Sequence, residues 1–337
     1  MINFNKNKSL NFKFKILIVG FGSIGKKHYE IIKKNFPNIT IALVIRKNKN
    51  LELNTYKNVK IFNNLADTII YVPDAVIICS PASQHYQDIL FFLNQKVHIF
   101  VEKPLFDKVK NISSIKKIIN KNKLIFKVGY NLRHTKTLNE LKKQIEKRVV
   151  GNLYYVNCNS GSNLKTWRKS EYTKSVSSNR RLGGGVILEL SHEIDYLFWI
   201  FGILKYTYSS YSKVSDYKIN VEDNAIFQFN LKNNLTQFRN ARISLNIDFI
   251  RSDPIRLIEA VGSKGTLKAD LIKGQLYFYS SSKNRWKLIS SIKNDVKNSY
   301  KPQFYEFFSK LSVNKHDTDS LDQSFNVLKI IEKAKLK

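Results

Sequence analysis

Short apolar runs alternate with helix-length segments between Lys15 and about Arg148. Continuous apolar runs of strand length, separated by helical crossovers, are typical of parallel strands that are covered on both faces. This pattern predicts an α/β domain with a doubly wound parallel sheet. Six runs are predicted as its strands: Lys15–Val19, Ile39–Ile45, Val59–Phe62, Ala75–Cys79, Val97–Val101 and Leu124–Val128.

The pattern changes after Gly151, where tyrosine, serine and threonine become frequent and polar and apolar residues alternate. The alternation is clear over Asn224–Leu231 and Leu267–Tyr279. Because a period of two indicates half-buried strands, we expect an α+β second domain with a largely antiparallel open sheet. Two amphipathic segments, Pro302–Leu311 and Leu321–Ala334, are predicted as helices.

A glycine-rich segment with the spacing GxGxxG follows the first predicted strand and precedes a helical segment, which is the context that makes this spacing specific. In such a loop the first glycine permits a tight turn, the second lets backbone amides approach a pyrophosphate, and the third lets helix and strand pack closely. The positive end of the helix then faces the phosphates. The segment predicts a Rossmann dinucleotide-binding domain, with cofactor contacts from Gly20, Gly22, Ser23, Ile24 and Gly25.

The end of the second strand bears on the choice of cofactor. NAD-binding domains usually place Asp or Glu there to bind the ribose 2′-hydroxyl, whereas Arg accommodates a 2′-phosphate. Here the strand ends in Arg46 and Lys47, and the next carboxylate is Glu52. We therefore expect Arg46 to contact the cofactor and NADP to be favoured over NAD. In the alternative, Arg46 is an ordinary surface cation and the site accepts either dinucleotide.

A chain of 337 residues is too long for one ordinary core. We expect a polar N-terminal tail over residues 1–13, the Rossmann domain over 14–134, an α+β substrate and oligomerisation domain over 135–320, and a C-terminal helix over 321–337. An exposed sheet in the second domain favours self-association into a homodimer or homotetramer.

The formal net charge is +31, but the lysines are spread along the whole chain and do not form one basic stripe. Nucleic acid is therefore not an expected partner. No apolar run reaches the roughly 18 residues that span a bilayer, so no membrane association is expected. Two cysteines in apolar runs do not make a disulfide framework, and no metal site is predicted. These features indicate a cytoplasmic protein.

Further motifs lie at the ends of later strands and beyond, and in this order and spacing they are specific. Together with the glycine loop, the chain resembles the glucose-fructose oxidoreductase, inositol dehydrogenase and MocA-like (Gfo/Idh/MocA) family, and a branch of it associated with modified-sugar pathways. The motifs are Ser80-Pro81-Ala82-Ser83-Gln84-His85, Glu102-Lys103-Pro104, Val128-Gly129-Tyr130-Asn131-Leu132-Arg133, Gly183-Gly184-Gly185, Ser191-His192-Glu193-Ile194-Asp195 and Gly262-Ser263-Lys264-Gly265-Thr266.

The first three motifs follow parallel strands, at the sheet edge where open α/β sheets bind ligands. An ammonium held there by Lys103 could hydrogen-bond a reacting hydroxyl and stabilise developing alkoxide charge, with Glu102 positioning it. The resemblance implies a cis peptide bond before Pro104. It also places further cofactor contacts at Ser80, Pro81, His85, Glu102, Lys103 and Asn131.

The helix after the triple glycine carries His192, for which the resemblance implies a role in proton transfer beside the nicotinamide. Imidazole suits this role because its ordinary pKa lies near neutral pH. The chain departs from the family pattern, which has Asp four residues before the histidine, because Leu188 stands there. Glu189, three residues before, shares a helix face with His192 and is the candidate acidic partner. Asp195, or no partner, is the alternative.

The loop before this helix contains an aromatic residue that could stack on a sugar and an arginine that could pair with an anion. Predicted substrate contacts are Lys103, Arg133, Trp167, Arg168 and Asp195. The expected function is NAD(P)-dependent hydride transfer at a secondary hydroxyl or ketone of a sugar derivative. The alternatives are a non-catalytic dinucleotide-binding regulatory protein and an NAD-dependent glycoside hydrolase or eliminase.

Overall fold

The computed structural model describes residues 12–46, 56, 58–167, 171–232, 238, 240–316 and 318–335, and these form two β-sheets with flanking helices. The first sheet has the strand order β3-β2-β1-β4-β5-β6, and every pair in it is parallel. The predicted Rossmann sheet is therefore confirmed. Its strands are β1 (Lys15–Val19), β2 (Thr40–Val44), β3 (Lys60–Phe62), β4 (Ala75–Ile78), β5 (His98–Val101) and β6 (Phe126–Val128).

The strand order reverses between β1 and β4, and the loops after these strands form a crevice of the kind that binds nucleotides in open α/β sheets. The strands are buried along nearly their whole length, as their continuous apolar sequences predict. The helices of this half are α1 (Ser23–Asn35), α2 (Ala82–Asn94) and α3 (Ser113–Lys121), whereas α4 (Lys136–Glu146) follows in the chain and packs in the core of the second sheet.

The second sheet has eight strands in the order β14-β13-β12-β11-β7-β10-β9-β8, and all neighbours are antiparallel except β7 and β10. The expected largely antiparallel sheet is thus confirmed. Its strands are β7 (Leu153–Gly161), β8 (Ile203–Ser212), β9 (Asn224–Lys232), β10 (Arg242–Asp248), β11 (Ile255–Gly262), β12 (Gly265–Asp270), β13 (Gln275–Ser280) and β14 (Arg285–Ser291).

The alternating stretch Leu267–Tyr279 contains parts of two strands, β12 and β13. The chain turns between them at Gly274, whose φ of +66° favours glycine. Period-two alternation does not by itself reveal such a hairpin turn, because polar and apolar residues alternate in both strands that flank the turn.

The C-terminal helices connect the two halves of the molecule. They are α7 (Asp295–Asn298), α8 (Tyr300–Ser312) and α9 (Asp319–Lys335). Phe304, Phe307 and Phe308 of α8 pack in the same core cluster as Ile16 and Ile18 of β1. Although α8 falls within the range expected for the second domain, its apolar face is therefore buried against the Rossmann sheet.

Helix α9 contributes to both cores, with Leu321 and Leu328 on the Rossmann side and Ile331 on the side of the second sheet. Near the other terminus, Phe12 is buried in the Rossmann core although it falls within the expected polar tail. The first eleven residues of that tail lie outside the described ranges. Among the described helices, none combines the length and apolar character needed to cross a membrane.

Candidate functional site

The glycine loop joins β1 to α1 in the geometry that its sequence predicts. Gly20 has a φ of +88°, and a Cβ added there would lie 2.8 Å from the main chain of Cys79 and Ser80. A Cβ at Gly25 would lie 2.1 Å from the carbonyl oxygen of Gly20. A Cβ at Gly22 would meet nothing within 4 Å. The loop therefore packs tightly at its two ends and is open at its centre.

Ser23 and Ile24 form the start of α1, directly after the open position of the loop. Backbone N–H groups in the first turn of a helix have no partner within the helix, and they attract anions. The segment thus offers amide donors, helix dipole and space together, and all five residues predicted from the glycine motif lie in it.

Arg46 follows β2 and is engaged by α2. Its guanidinium donates to the Asp88 carboxylate through both terminal nitrogens and to Gln84 Oε1 at 2.7 Å. The hydroxyl of Ser80 donates to the same carboxylate at 2.6 Å. A groove of about 430 Å³ runs past Arg46, Gln84 and Asp88 and is also lined by Leu65, Gln87 and Phe91. Arg46 therefore borders a cavity, but a carboxylate already offsets its charge. Lys47 and Glu52 lie outside the described residues.

His85 joins the loops that follow β4 and β5. Its Nε2 lies 2.8 Å from the carbonyl oxygen of Ser80, and its Nδ1 lies 3.0 Å from that of Pro104. The side chain is 1% exposed, and this burial lowers the pKa of His85. Both ring nitrogens thus face main-chain oxygens, so His85 connects the loop that follows β4 to the loop that follows β5. The Lys103–Pro104 peptide bond is cis, as the resemblance implies, and Pro81 is the N-cap of α2.

Glu102 is buried at the end of β5 and is held by two groups. Its Oε1 lies 2.6 Å from Nε2 of His28, and its Oε2 accepts a hydrogen bond from the Lys103 main-chain nitrogen at 3.2 Å. A Cβ at Gly129 would lie 2.9 Å from Oε1, so glycine at this position makes room for the carboxylate. Glu102 therefore fixes the backbone from which the Lys103 side chain extends.

The Lys103 ammonium crosses to the second domain. Its Nζ donates to the main-chain oxygen of Glu189 at 2.8 Å and to Oε2 of the same residue at 3.0 Å. The other carboxylate oxygen, Oε1, accepts from the hydroxyl of Ser177 at 2.7 Å. Glu189 thus shares its carboxylate between Lys103 and Ser177.

The helix that was expected after the triple glycine is two helices, α5 (Val186–Glu189) and α6 (Ser191–Phe201). The chain breaks at Leu190, which has φ −96° and ψ 26°. The expectation that Glu189 and His192 share the face of one continuous helix is therefore wrong. Because of this break, Glu189 belongs to α5 and His192 to α6, and the Glu189 side chain contacts Lys103.

His192 lies at the start of α6, where its Nδ1 is buried without a hydrogen-bond partner among the described residues. Its ring packs edge to face against the ring of Tyr130, with the ring centroids 5.5 Å apart. Burial, together with the positive charges of Lys103, Arg256 and Arg133, lowers the pKa of His192 well below its ordinary value of 6.5. At neutral pH the imidazole is uncharged and can accept a proton.

Arg133 and Asp195, both predicted to contact substrate, form an ion pair with each other. The guanidinium binds the carboxylate through Nε, at 2.7 Å, and through one terminal nitrogen, while the other terminal nitrogen donates to Gln323 of α9. Asp195 is 1% exposed. The pair therefore ties the segment after β6 to α6, and the contact with Gln323 ties it to α9.

Trp167 and Asn131 are also held by the protein. The Trp167 indole donates to Ser162 Oγ at 2.6 Å and packs edge to face against Phe249, with ring centroids 5.0 Å apart. The Asn131 amide donates to Ser299 Oγ at 2.7 Å, and the side chain is buried. Arg168 lies outside the described residues.

Three polar residues near the cleft were missed by the sequence reasoning. Nε of Arg256, on β11, lies 2.9 Å from Oε1 of the buried Glu193. Together with burial and the charge of Lys103, the charge of Arg256 lowers the pKa of His192. Ser177 contacts Glu189. Glu193 stands within a motif that the sequence analysis noted, but Arg256 and Ser177 have no local pattern that distinguishes them. In the described ranges, no group of three or more His, Cys, Asp or Glu side chains could hold a metal ion.

Comparison with known proteins identifies the family. The model of an oxidoreductase family with an NAD-binding Rossmann fold matches residues 14–130, and the model of its C-terminal α/β domain matches residues 142–337. Two similar proteins are the rhizopine catabolism protein MocA of Rhizobium meliloti, 25% identical over 193 residues, and glucose-6-phosphate 3-dehydrogenase of Bacillus subtilis, 25% identical over 190 residues. The aligned regions cover 56% of this chain in both cases.

These regions cover 58% and 53% of the two relatives, so the match spans little more than half of their length. Among solved structures, the WlbA dehydrogenase of Chromobacterium violaceum, in complex with NADH and UDP-GlcNAcA, superimposes with a TM-score of 0.79 at 18% identity. That superposition covers 97% of this chain and 94% of the other, and it supports the fold assignment. Because the two family models cover nearly the whole chain, this protein belongs to the Gfo/Idh/MocA oxidoreductase family.

Proposed function

We propose that this protein transfers hydride between a nicotinamide dinucleotide and a secondary hydroxyl or ketone of a sugar or sugar derivative. The observation that carries the proposal is the placement of Lys103. Lys103 follows the carboxyl end of β5, the neighbour of β4 at the crevice, and Glu189 of the second domain holds its ammonium. A fixed cation at this edge is suited to stabilise negative charge that develops on a substrate oxygen.

Lys103 and His192 divide the work on the reacting hydroxyl in this proposal. Lys103 donates a hydrogen bond to the substrate oxygen, and the uncharged His192 accepts the hydroxyl proton during oxidation or returns it during reduction. The bound dinucleotide supplies the hydride acceptor or donor at nicotinamide C4. Glu102 acts on this chemistry by fixing the backbone of Lys103, and the glycine loop holds the pyrophosphate.

For the cofactor we propose NADP in preference to NAD, by a modest margin. Arg46 at the end of β2 can meet a 2′-phosphate, which supports this choice. The margin is modest because Asp88 binds the same guanidinium and its negative charge opposes a phosphate. The dehydrogenase neighbour from C. violaceum was crystallised with NADH, so both dinucleotides belong in the test.

The test is a panel of free, phosphorylated and nucleotide-linked sugars, each assayed with both cofactors. Phosphorylated and nucleotide-linked sugars are included because one similar protein is a glucose-6-phosphate 3-dehydrogenase and one structural neighbour was crystallised with UDP-GlcNAcA. The proposal expects stoichiometric formation of NAD(P)H or its oxidised form with at least one sugar. Sugar conversion without net cofactor turnover would instead support hydrolysis or elimination. Tight dinucleotide binding with no sugar conversion would support a regulatory protein.

We also propose that the chain forms a homodimer or homotetramer through the second sheet. Large apolar side chains are exposed on several of its strands: Tyr154 and Tyr155 on β7, Tyr208 on β8, and Trp286 and Leu288 on β14. Trp286 and Leu288, two residues apart on the edge strand β14, share one face of the sheet, and exposed apolar residues that adjoin one another support an interaction surface. A solution mass measurement that gave a monomer across micromolar concentrations would contradict this assembly.

A further inference from the structure

Ser177 lies in a short helical turn, Val176–Ser178, that precedes the triple glycine. Its hydroxyl donates to Oε1 of Glu189 at 2.7 Å, while Oε2 of the same carboxylate lies 3.0 Å from Nζ of Lys103. We propose that Ser177 is a positioning residue that holds Glu189 against Lys103 and thereby keeps the ammonium in place. This inference rests on the proposed function, in which Lys103 contacts the reacting oxygen.

The turn is clamped, so the hydroxyl has a defined position. The main-chain oxygen of Ser177 accepts a hydrogen bond from the nitrogen of Gly185 at 3.0 Å. A Cβ at Gly184 would lie only 2.3 Å from the oxygen of Val176. The side chain of Ser177 is buried, with 1% of the residue exposed. Ser177 is therefore fixed against the segment from which α5 and Glu189 begin.

The carboxylate of Glu189 needs this second contact to stay aimed at Lys103. A glutamate side chain has several rotatable bonds and loses much rotamer freedom when it is fixed. One oxygen is anchored by Ser177, so the other is directed to the ammonium. The Ser177 hydroxyl donates to Glu189, and Lys103 contacts the other oxygen of the same carboxylate, so the serine acts on Lys103 through Glu189.

The next residue provides a matched control. Ser178 is also buried, but its hydroxyl donates to the main-chain oxygens of Thr173 at 2.9 Å and Ser175 at 2.8 Å. Its side chain is directed into the turn and lies outside the proposed catalytic machinery. Ser178→Ala removes a buried hydroxyl from the same turn without touching Glu189, so it separates a general loosening of the turn from the specific contact.

The test measures amine reactivity of Lys103 and does not require a substrate. The full-length protein is labelled briefly with acetic anhydride at one fixed pH, and the extent of acetylation at Lys103 is quantified by mass spectrometry. We expect Ser177→Ala to raise this extent by about threefold or more, because an amine whose carboxylate partner has lost a hydrogen bond is held less firmly and reacts more readily. We expect Ser178→Ala to leave the extent of acetylation unchanged. Ser177→Cys, a weak donor of similar size, is the substitute if the alanine variant does not fold.

A double-variant comparison separates positioning through Glu189 from a structural effect. In a Glu189→Gln background, Ser177→Ala should cause no further increase in Lys103 acetylation, because the carboxylate is already absent. The inference is overturned if Ser177→Ala leaves the acetylation at the wild-type extent, or if the increase is equally large in the Glu189→Gln background. Ser177→Thr, which keeps the hydroxyl, should restore the wild-type extent. Failure of every sugar assay would refute the proposed function while leaving this labelling result readable.

Discussion

The two walls of the cleft place their functional groups by different means. The Rossmann wall relies on the backbone: Gly20 and Gly25 fit against main-chain atoms, and His85 holds two loops through their carbonyl oxygens. The opposite wall relies on pairs of charged side chains. Lys103 with Glu189, Arg133 with Asp195, and Arg256 with Glu193 each join segments that are far apart in sequence.

This difference has an energetic consequence. A tightly packed loop is destabilised when a substitution adds an atom for which there is no space. A buried ion pair is destabilised when one partner is removed, because the other charge is then left without compensation. The paired charges also bias the chemistry, because three of these cations lower the pKa of His192. In the proposed function, the first wall would determine where the dinucleotide lies, and the charges of the second would keep His192 uncharged.

The largest effect is expected on the charged wall. His192→Asn should lower turnover by about 10²-fold or more, since proton transfer by a positioned side chain contributes on that order, while dinucleotide affinity stays near the wild-type value. Because the pKa of His192 lies well below 6.5, wild-type oxidation should also remain on its plateau as pH falls from 8 to 6.5. A pH–rate profile with its acid limb above 6.5 would show that another group accepts the proton.

The glycine loop allows a test of the backbone wall with two variants. Gly22→Ala adds a methyl group where nothing lies within 4 Å, so stability should stay unchanged while dinucleotide binding weakens by about tenfold or more. Gly25→Ala places a Cβ 2.1 Å from a carbonyl oxygen and should lower the free energy of unfolding by about 2 kcal/mol or more. Thermal unfolding and dinucleotide titration of both variants decide this, and equal stability loss in the two would contradict it.

The Rossmann half also contains buried charged groups, and these should make the free energy of unfolding depend on pH. Burial and the nearby cations lower the pKa of His134 from 6.5 to about 4, and Lys127 is among the groups that lower the pKa of Glu306 from 4.5 to about 2. The unfolded chain therefore binds protons that the folded protein does not, and stability should fall from pH 6.5 down to about 4 through His134, and from 4.5 down to about 2 through Glu306.

The expected loss through His134 is up to about 3 kcal/mol, because one unit of pKa corresponds to about 1.4 kcal/mol. His134→Gln should flatten the upper part of this decline and reduce the lower part, because His134 is among the charges that lower the pKa of Glu306. Urea unfolding at a series of pH values measures both. A decline of unchanged steepness in the variant would assign the proton uptake to other groups.

The smallest effect concerns cofactor choice. Asp88→Asn should raise the ratio of NADP to NAD affinity by about threefold, because it frees the Arg46 guanidinium from a competing carboxylate. Arg46→Asp should move the preference toward NAD. Titration of both cofactors against the three proteins measures these ratios. Identical ratios throughout would show that Arg46 does not face the ribose.

The fold and the backbone wall could be predicted from the sequence because their signals are local. Apolar strands, the GxGxxG spacing and the motifs after β4, β5 and β6 each lie within a few consecutive residues, and the structure places them as expected along one sheet edge. The two helices that replace one after the triple glycine had no such signal. Glu189 and His192 fit a helical spacing, and only the break at Leu190 separates them.

The charged wall could not be predicted because pairing depends on distant segments. Arg133 and Asp195 were each predicted to contact substrate, but in the structure they form an ion pair with each other although they are 62 residues apart in the sequence. Arg256 lies on a strand whose sequence gives no reason to single it out, and it compensates Glu193 from a separate element. Composition and spacing show which residues carry charge, while the tertiary fold decides which of them meet.

The central claim is that Lys103 carries the chemistry while the glycine loop carries dinucleotide binding. The most direct measurement is Lys103→Met, assayed for turnover with the sugar found in the panel and titrated with the dinucleotide. Loss of one preorganised charge stabiliser should lower turnover by about 10²-fold or more, with dinucleotide affinity within about threefold of the wild type. Near-normal turnover in this variant would contradict the account.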